Sequence, residues 1–310
     1  MLVFFGVKTT SLSMLEYLIS KKIKINLLVT INKRLAKKNA VSGYFDLTNF
    51  AKKNNIKIYH LKSYSINDLD IKYLSKLNYK IGLVYGWQRI IKDEILDLFE
   101  TGVFGFHGSY LKLPNGAGRS PFNWSLRNGK KYIYQNIFKY TNQFDRGPIF
   151  NTTKFPIYST DDINSLQFKG FYLAKYQILK LLNYSKINKK IKLKEQQKLK
   201  EIVYFPKLSF ADSKIDFRKN CEDNLNVIRA SSKPFAGSYF YMFNKKIVIV
   251  YQAKLFLYEN NKYIKKSKES TILDIYNDQS FLIKLFDGII QITEYKFNGN
   301  IKNYLNKKIY

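Results

Sequence analysis

Two residues suited to proton transfer stand in the middle of the chain. His107 lies in FGFHGSYLKLPNGAGRSP (104–121) and is one of two histidines among 310 residues. An imidazole exchanges protons near neutral pH, so a histidine set at the end of a strand can polarise a ligand or move its proton. Asp145 lies in FDRGPIF, a tight turn between two β-rich runs. A carboxylate held in such a turn beside an imidazole forms an acid–base pair. Plainer readings compete with this one. A lone histidine after a strand is commonly structural, and Asp before Gly-Pro is a turn former that tolerates unusual backbone geometry. Arg146 is also placed to neutralise Asp145 in a structural ion pair.

A second set of residues fits an anion. The glycines of LPNGAGRSP allow close backbone approach, and Arg119 and Ser120 then stand at the start of a helix, an anion-facing edge. Near the N-terminus GVKTTSLS runs from a strand directly into a helix. Lys8, Thr9, Thr10 and Ser11 offer one cation, three hydroxyls and helix-terminal N–H groups, all suited to phosphate. An ordinary capped helix start would use the same residues. Nothing in the chain has metal-ligand spacing.

The elements that position these residues can be read from hydrophobic patterning. Strand-like runs LVFFGV (2–7), INLLVTI (25–31), IKIYHL (56–61), IGLVYGW (81–87) and GVFGFHG (102–108) alternate with helical patterns. The helices are LSMLEYLIS, FDLTNFAKKNN (45–55), INDLDIKYLSKL (66–77) and a short IKDEILDLFE. Asn67 fits the cap of the third, with Leu69, Leu74 and Leu77 near one face. This alternation predicts an α/β fold: a mainly parallel, twisted sheet with helices on both faces. Ligands bind beyond the carboxyl ends of such strands, and His107 stands at one of them. SPFNWSLRNG reads as a helix with Ser120 as its cap, Pro121 at its first position and Gly129 as its stop. KYIYQNIFKY and GPIFNTTKFPIY read as an antiparallel pair at the sheet edge. Residues 160–182 form the longest helical pattern, with Thr160 as its cap. The charged stretch 186–201 reads as a solvated linker or lid. From about 203 onward the chain is β-rich, a small barrel or open sheet. The expected domains are 1–200 and 201–310.

Composition sets the outer limits. No apolar run reaches eighteen residues, which argues against a membrane span, and the N-terminus lacks the marks of a signal peptide. Cys221 is the single cysteine, so an internal disulfide is excluded and the reducing cytoplasm is the expected location. Lys and Arg number 53 against 23 Asp and Glu, a formal charge of +30. Such an excess fits nucleic acid, an anionic substrate or a membrane surface. Lysine spread along the whole chain with Asn, Ile and Tyr also fits a compositional drift toward AT-rich codons, and arginine is scarce.

The order of a strand, HGS, LP-x-G-x-GRSP, an NW helix and then FDRGPIF resembles the formyltransferase family that uses 10-formyltetrahydrofolate. VYGWQRIIKDEIL resembles the family segment lining the folate pocket. FADSKIDFRKNCEDNLNVIRASSKPFAGSYFY resembles the segment after the catalytic domain. The likeness covers most of residues 1–245. It implies that an amine attacks the formyl carbon of the folate, with His107 stabilising the oxyanion and Asp145 orienting the histidine or a water and helping remove the amine proton. It implies folate contacts from Tyr85, Gly86, Trp87, Arg89, Ile90, Thr141, Asn142 and Gln143. The acceptor's phosphate would meet Lys8, Thr9, Thr10, Ser11, Arg119 and Ser120, and no metal is required. One departure stands out. The family usually carries Asn two residues before the histidine, and here that position is Gly105. Ser109, Asn115 and Asn123 are candidate replacements for its amide.

Among acceptors, a nucleotide-linked amino sugar suits the GRSP loop and the modest C-terminal domain, and would place the enzyme in lipopolysaccharide or other surface-glycan synthesis. Methionyl-tRNA suits a basic two-domain enzyme, but this loop departs from the regular Asn-x-His-x-Ser-Leu-Leu-Pro form. Glycinamide ribonucleotide fits least, because its enzyme normally lacks the extra domain. A different class is a noncatalytic relative that binds nucleic acid or a membrane surface. No membrane insertion is expected, and the β-rich C-terminal part offers a surface for a homodimer.

Overall fold

Short apolar runs without polar alternation, such as LVFF, make stable strands only when both faces are covered. The computed structural model, which describes residues 1–87, 89–186, 191–258 and 269–310, builds such a sheet. Its first part alternates β1 (Leu2–Phe5), α1 (Thr9–Ser20), β2 (Leu27–Thr30), α2 (Lys33–Lys38), α3 (Thr48–Lys53), β3 (Lys57–His60), α4 (Asp68–Leu74), β4 (Tyr79–Val84), α5 (Asp93–Leu96) and β5 (Phe99–Ser109). There follow β6 (Ala117–Gly118), α6 (Pro121–Arg127), β7 (Tyr132–Lys139), β8 (Ile149–Pro156), α7 (Ile163–Lys186) and β9 (Tyr204–Phe205). The main sheet has the order β3-β2-β1-β4-β5-β7-β8. The first five strands are parallel, and β7 and β8 add an antiparallel edge, as the sequence predicts.

Strand order reverses between β1 and β4, so the crevice at their carboxyl ends is the switch point where α/β sheets bind ligands. One face of the sheet packs Val3, Phe5 and Val29 against Ala36 of α2, Leu74 of α4 and Ile95 of α5. The other packs Phe4, Leu28 and Leu83 against Leu15 of α1, Ala51 of α3 and Ile178 of α7. Burying each such side chain contributes about 1.5–3 kcal/mol.

Three local expectations need correction. Asn67 caps α4 in a reciprocal box with Asp70, but the helix ends at Leu74, and Leu69 points outward. Asp70 is the buried residue of that turn, accepting from the Tyr59 hydroxyl and the Lys62 N–H. The long helix starts at Ile163, and Asp162 rather than Thr160 caps it by accepting from Ser165 N. Ser120 occupies the cap position of α6 in the left-handed region (φ +54°), and its hydroxyl makes no cap. It accepts instead from Leu208 N. The sequence reading also passes over α2 and a helix in the C-terminal part.

Among the described residues, that part holds α8 (Cys221–Ser231) and five antiparallel strands, β10 (Ser238–Tyr241), β11 (Ile247–Tyr258), β12 (Thr271–Ile275), β13 (Phe281–Lys284) and β14 (Gly288–Phe297). Their order is β10-β11-β14-β13-β12. The last residues join the two edges: Tyr310 exchanges backbone hydrogen bonds with Tyr241, and Ile309 N donates to Ser270 O. Closure of this kind removes exposed sheet edges and favours the barrel over the open sheet. Cys221 is buried against Asp287, and burial first, then that carboxylate, pushes its thiol up to about 12, which makes it inert.

Candidate functional site

Alternation along β5 sets the site's face. Val103, Gly105, His107 and Ser109 share one side of the strand, because successive side chains point to opposite faces. His107 is buried, and its Nδ1 lies 3.3 Å from Asp145 Oδ2. Its Nε2 lies 2.7 Å from the Gly116 carbonyl oxygen. Both neighbours are acceptors, so each ring nitrogen faces an oxygen. Asp145 is 19% exposed, which leaves its carboxylate open to a ligand. Its ion pair among the described residues is with His107, not with Arg146. The second histidine, His60, is far along the sheet on β3, where Nε2 meets Thr48.

The turn that carries Asp145 is held from outside its own sequence. Asp145 sits at φ +53°, a left-handed conformation that Asp tolerates. Gln196 donates to the carbonyls of Asp145 and Gly147, both at 2.8 Å. Asp145 Oδ2 accepts from Gly118 N at 3.1 Å. Of the expected linker, residues 187–190 lie outside the described residues. Residues 191–201 have largely exposed side chains, and the chain is tied down at Lys194 and just past the linker's end. Lys194 exchanges hydrogen bonds with Ile149, Gly116 N donates to Val203 O, and β9 pairs in parallel with β6. Gly118 adopts φ +107° where Phe205 O would meet any Cβ, so this pairing requires glycine. No local pattern marked Gln196, whose role depends entirely on the return of the chain.

The three side chains considered as substitutes for the amide at position 105 each make a hydrogen bond elsewhere, and only Asn123 spends a donor on it. Ser109 Oγ accepts from Leu111 N, and Asn115 Oδ1 from Val203 N. Asn123 Nδ2 donates to Ala230 O and so anchors the C-terminal end of α8. At Gly105 itself, an added Cβ would stand 2.5 Å from the hydroxyl oxygen of Tyr140. The Tyr140 ring, just past β7, therefore fills the space over Gly105. Sequence reasoning did not single out Tyr140. The available signal was its strand period with Asn136 and Phe138, which places it on the His107 face.

At the switch point, the residues expected to bind phosphate and folate come together from β1 and β4. Ser11 is fully buried; its hydroxyl donates to Tyr85 O and accepts from Val7 N and Lys8 N. It ties the two loops together and does not face outward, whereas Thr9 and Thr10 are exposed. Gly86 packs against Thr10 and Ser11. Lys8 is half-buried, and burial first, then the positive charge of exposed Arg119, lowers its ammonium from the ordinary value. The two cations therefore feel each other's charge. Tyr85 packs edge-on to Phe106, and burial raises its phenol. Trp87 stands edge-on to Phe5, with its buried Nε1 lacking a hydrogen-bond partner. Arg89 stacks over Tyr64 at 3.5 Å, and Ile90 is exposed. Asn142 donates to Asp93, which brings Thr141–Gln143 against the start of α5. Gln88, within the same run, lies outside the described residues.

Among the described residues no group of His, Cys, Asp or Glu is placed to hold a metal ion, and no helix is long and apolar enough to cross a membrane. A cavity of about 660 Å³ lies at the junction with the barrel, lined by Arg127, Lys214, Arg218 and Lys308, away from His107.

A parallel sheet with a β-rich domain appended is the fold the chain shares with solved N-formyltransferases. The family model described as "Formyl transferase" matches residues 3–180, and "Formyl transferase, C-terminal domain" matches residues 207–307. The chain belongs to the formyl transferase family and is an N-formyltransferase. It is similar to the bifunctional polymyxin resistance protein ArnA of Wigglesworthia glossinidia brevipalpis, 33% identical over 64% of this chain, which spans only 29% of that protein. It is 29% identical to methionyl-tRNA formyltransferase of Prochlorococcus marinus (strain MIT 9215) over 99% of this chain and 94% of that one. A similar solved structure is an N-formyltransferase from Helicobacter canadensis in complex with folinic acid and dTDP-3-aminofucose. Its TM-score is 0.68 at 18% identity, covering 95% of this chain and 99% of that one.

Proposed function

We propose that the protein transfers a formyl group from 10-formyltetrahydrofolate, consumed as a second substrate, to the amine of a nucleotide-linked amino sugar. The observation that carries the reading is the His107–Asp145 pair at the carboxyl end of β5, with Lys8 at the adjoining switch point within electrostatic reach of Arg119. The orphaned Trp87 Nε1, in the run that resembles a folate-pocket lining, suits a heterocycle rich in acceptors. The amine nitrogen forms a bond to the formyl carbon, and the carbonyl electrons move to oxygen. Their return expels the folate nitrogen, which takes up a proton. Asp145, the exposed member of the pair, receives the proton released by the amine, and the His107 ring next to it offsets the negative charge on the formyl oxygen. Lys8 and Arg119 hold the diphosphate, whose charge relieves their mutual repulsion.

Methionyl-tRNA is the second reading, favoured by the full-length likeness to a methionyl-tRNA formyltransferase and by the +30 charge. A thermal-shift panel with 5-formyltetrahydrofolate, dTDP-3-aminofucose and methionyl-tRNA separates the two. Ligands that bind only the folded state raise Tm, by about 2.7 kcal/mol of stabilisation at one hundred times Kd. Stabilisation by folate and nucleotide sugar is expected. Stabilisation by tRNA without the sugar nucleotide moves the assignment to the second reading, and indifference to folate overturns both.

A further inference from the structure

A carbonyl oxygen that gains negative charge during acyl transfer needs a hydrogen-bond donor fixed beside it. On the His107 face of the sheet, most donors are engaged. Both His107 nitrogens are taken up by Gly116 O and Asp145. The Asn136 amide donates to the carbonyls of His107 and Tyr134. The Gly118 N–H donates to Asp145. The Tyr140 hydroxyl donates to no described residue and stands over Gly105. The Ser109 hydroxyl on the same face also donates to none, but it accepts from Leu111 N and lies beyond His107 rather than at Gly105.

The position of that hydroxyl is defined by its surroundings. Tyr140 N donates to Val103 O at 2.7 Å, which fixes the backbone one step beyond the ladder. Its ring packs on Phe138 with centroids 5.3 Å apart and leans diagonally across to Gly105. Gly105 and His107 are two residues apart on one strand face, so their side-chain positions are about 6–7 Å apart. We propose that the Tyr140 hydroxyl is a catalytic hydrogen-bond donor to the formyl oxygen, and that Gly105 lacks a side chain because the tyrosine ring occupies its space. This rests on the formyl-transfer reading. Burial, and then the nearby Asp145 carboxylate, raise the phenol above its ordinary value, so the hydroxyl keeps its proton at every pH the enzyme meets.

The test uses the purified full chain with 10-formyltetrahydrofolate as donor, and dTDP-3-aminofucose and methionyl-tRNA assayed separately as acceptors. Tyr140→Phe removes one oxygen and keeps the packing. It should lower kcat by about 10²–10³-fold, the loss typical of a removed oxyanion donor. Tm and the affinity for 5-formyltetrahydrofolate should stay at the wild-type level, since the donor acts in the transition state rather than in binding. Gly105→Asn combined with Tyr140→Ala places an amide in the emptied space and should exceed Tyr140→Ala alone by about tenfold or more. Wild-type kcat in Tyr140→Phe overturns the proposal. So does a loss of folate affinity equal to the loss of kcat, a Tyr140→Ala variant faster than wild type, or a double variant no better than Tyr140→Ala. Wild-type protein that formylates neither acceptor overturns the formyl-transfer reading itself, a result distinct from any of these.

Discussion

His107 and Asp145 depend on each other more closely than their 38-residue separation implies. The imidazole is buried between two acceptors, and the carboxylate is the member that a ligand can reach. His107→Ala and Asp145→Ala should each lower kcat by about 10²–10⁴-fold. Because the two act as one unit, the double variant should fall little further than either alone. Steady-state rates of the three proteins, with circular dichroism to verify folding, check this; additive losses would mean that the residues act independently. Both residues could be picked out as candidates from their strand-end and turn positions, and the structure places them side by side. The sequence assigned them a role only through the family resemblance. Tyr140 could not be picked out, since its importance comes from an absence at Gly105 on another strand. Gln196 carried no signal either. A glutamine in a lysine-rich stretch looks solvated until the chain returns to the Asp145 turn.

Among the elements, the parallel strands were the most legible, because LVFF and LLVT permit no half-exposed arrangement. Helix ends were read less well. Thr160 was expected to cap α7, but Asp162 caps it, and Asp161 ties down the turn ahead of it. Asp161 accepts from Tyr158 N and Ser165 Oγ and pairs with Lys169 at 2.5 Å. Burial alone would raise its carboxyl, yet Lys169 and these hydrogen bonds outweigh burial and leave it lowered. A carboxyl lowered in the folded state contributes stability that is present above the ordinary carboxylate range and lost as pH falls through the folded value. Asp161→Asn should therefore cost about 1–3 kcal/mol near neutrality and less in acid. Urea denaturation at neutral and acidic pH measures the difference, and an equal cost at both would contradict the ion pair. α7 carries Ala174 and Ile178 into the core beneath β1 and β4, so loosening its start should be felt as a loss of global stability rather than of activity.

At the scale of the whole molecule, the charge of +30 admits two accounts with different salt dependence. Lysines scattered over α/β sheet, linker and barrel alike give a field without a track. At the switch point, Lys8 has its ammonium lowered by burial and by Arg119. An acceptor held by that pair alone should bind with a shallow salt dependence, its KM rising by less than about tenfold between 50 and 200 mM salt. A polyanion neutralised at six to ten phosphates would instead lose about 10³–10⁵ in affinity over the same interval. Measuring acceptor KM across that range decides between a local diphosphate site and a tRNA footprint. Lys8→Ala and Arg119→Ala sharpen the comparison. With a nucleotide sugar, each should raise KM by about ten- to a hundredfold with little change in kcat, because a phosphate contact remote from the formyl carbon is made equally in ground and transition states. With tRNA, where a single cation is one of many, each should shift KM only a few-fold and flatten the salt slope by about one unit. The steep pattern would assign the positive surface a partner, and the shallow one would leave it as composition.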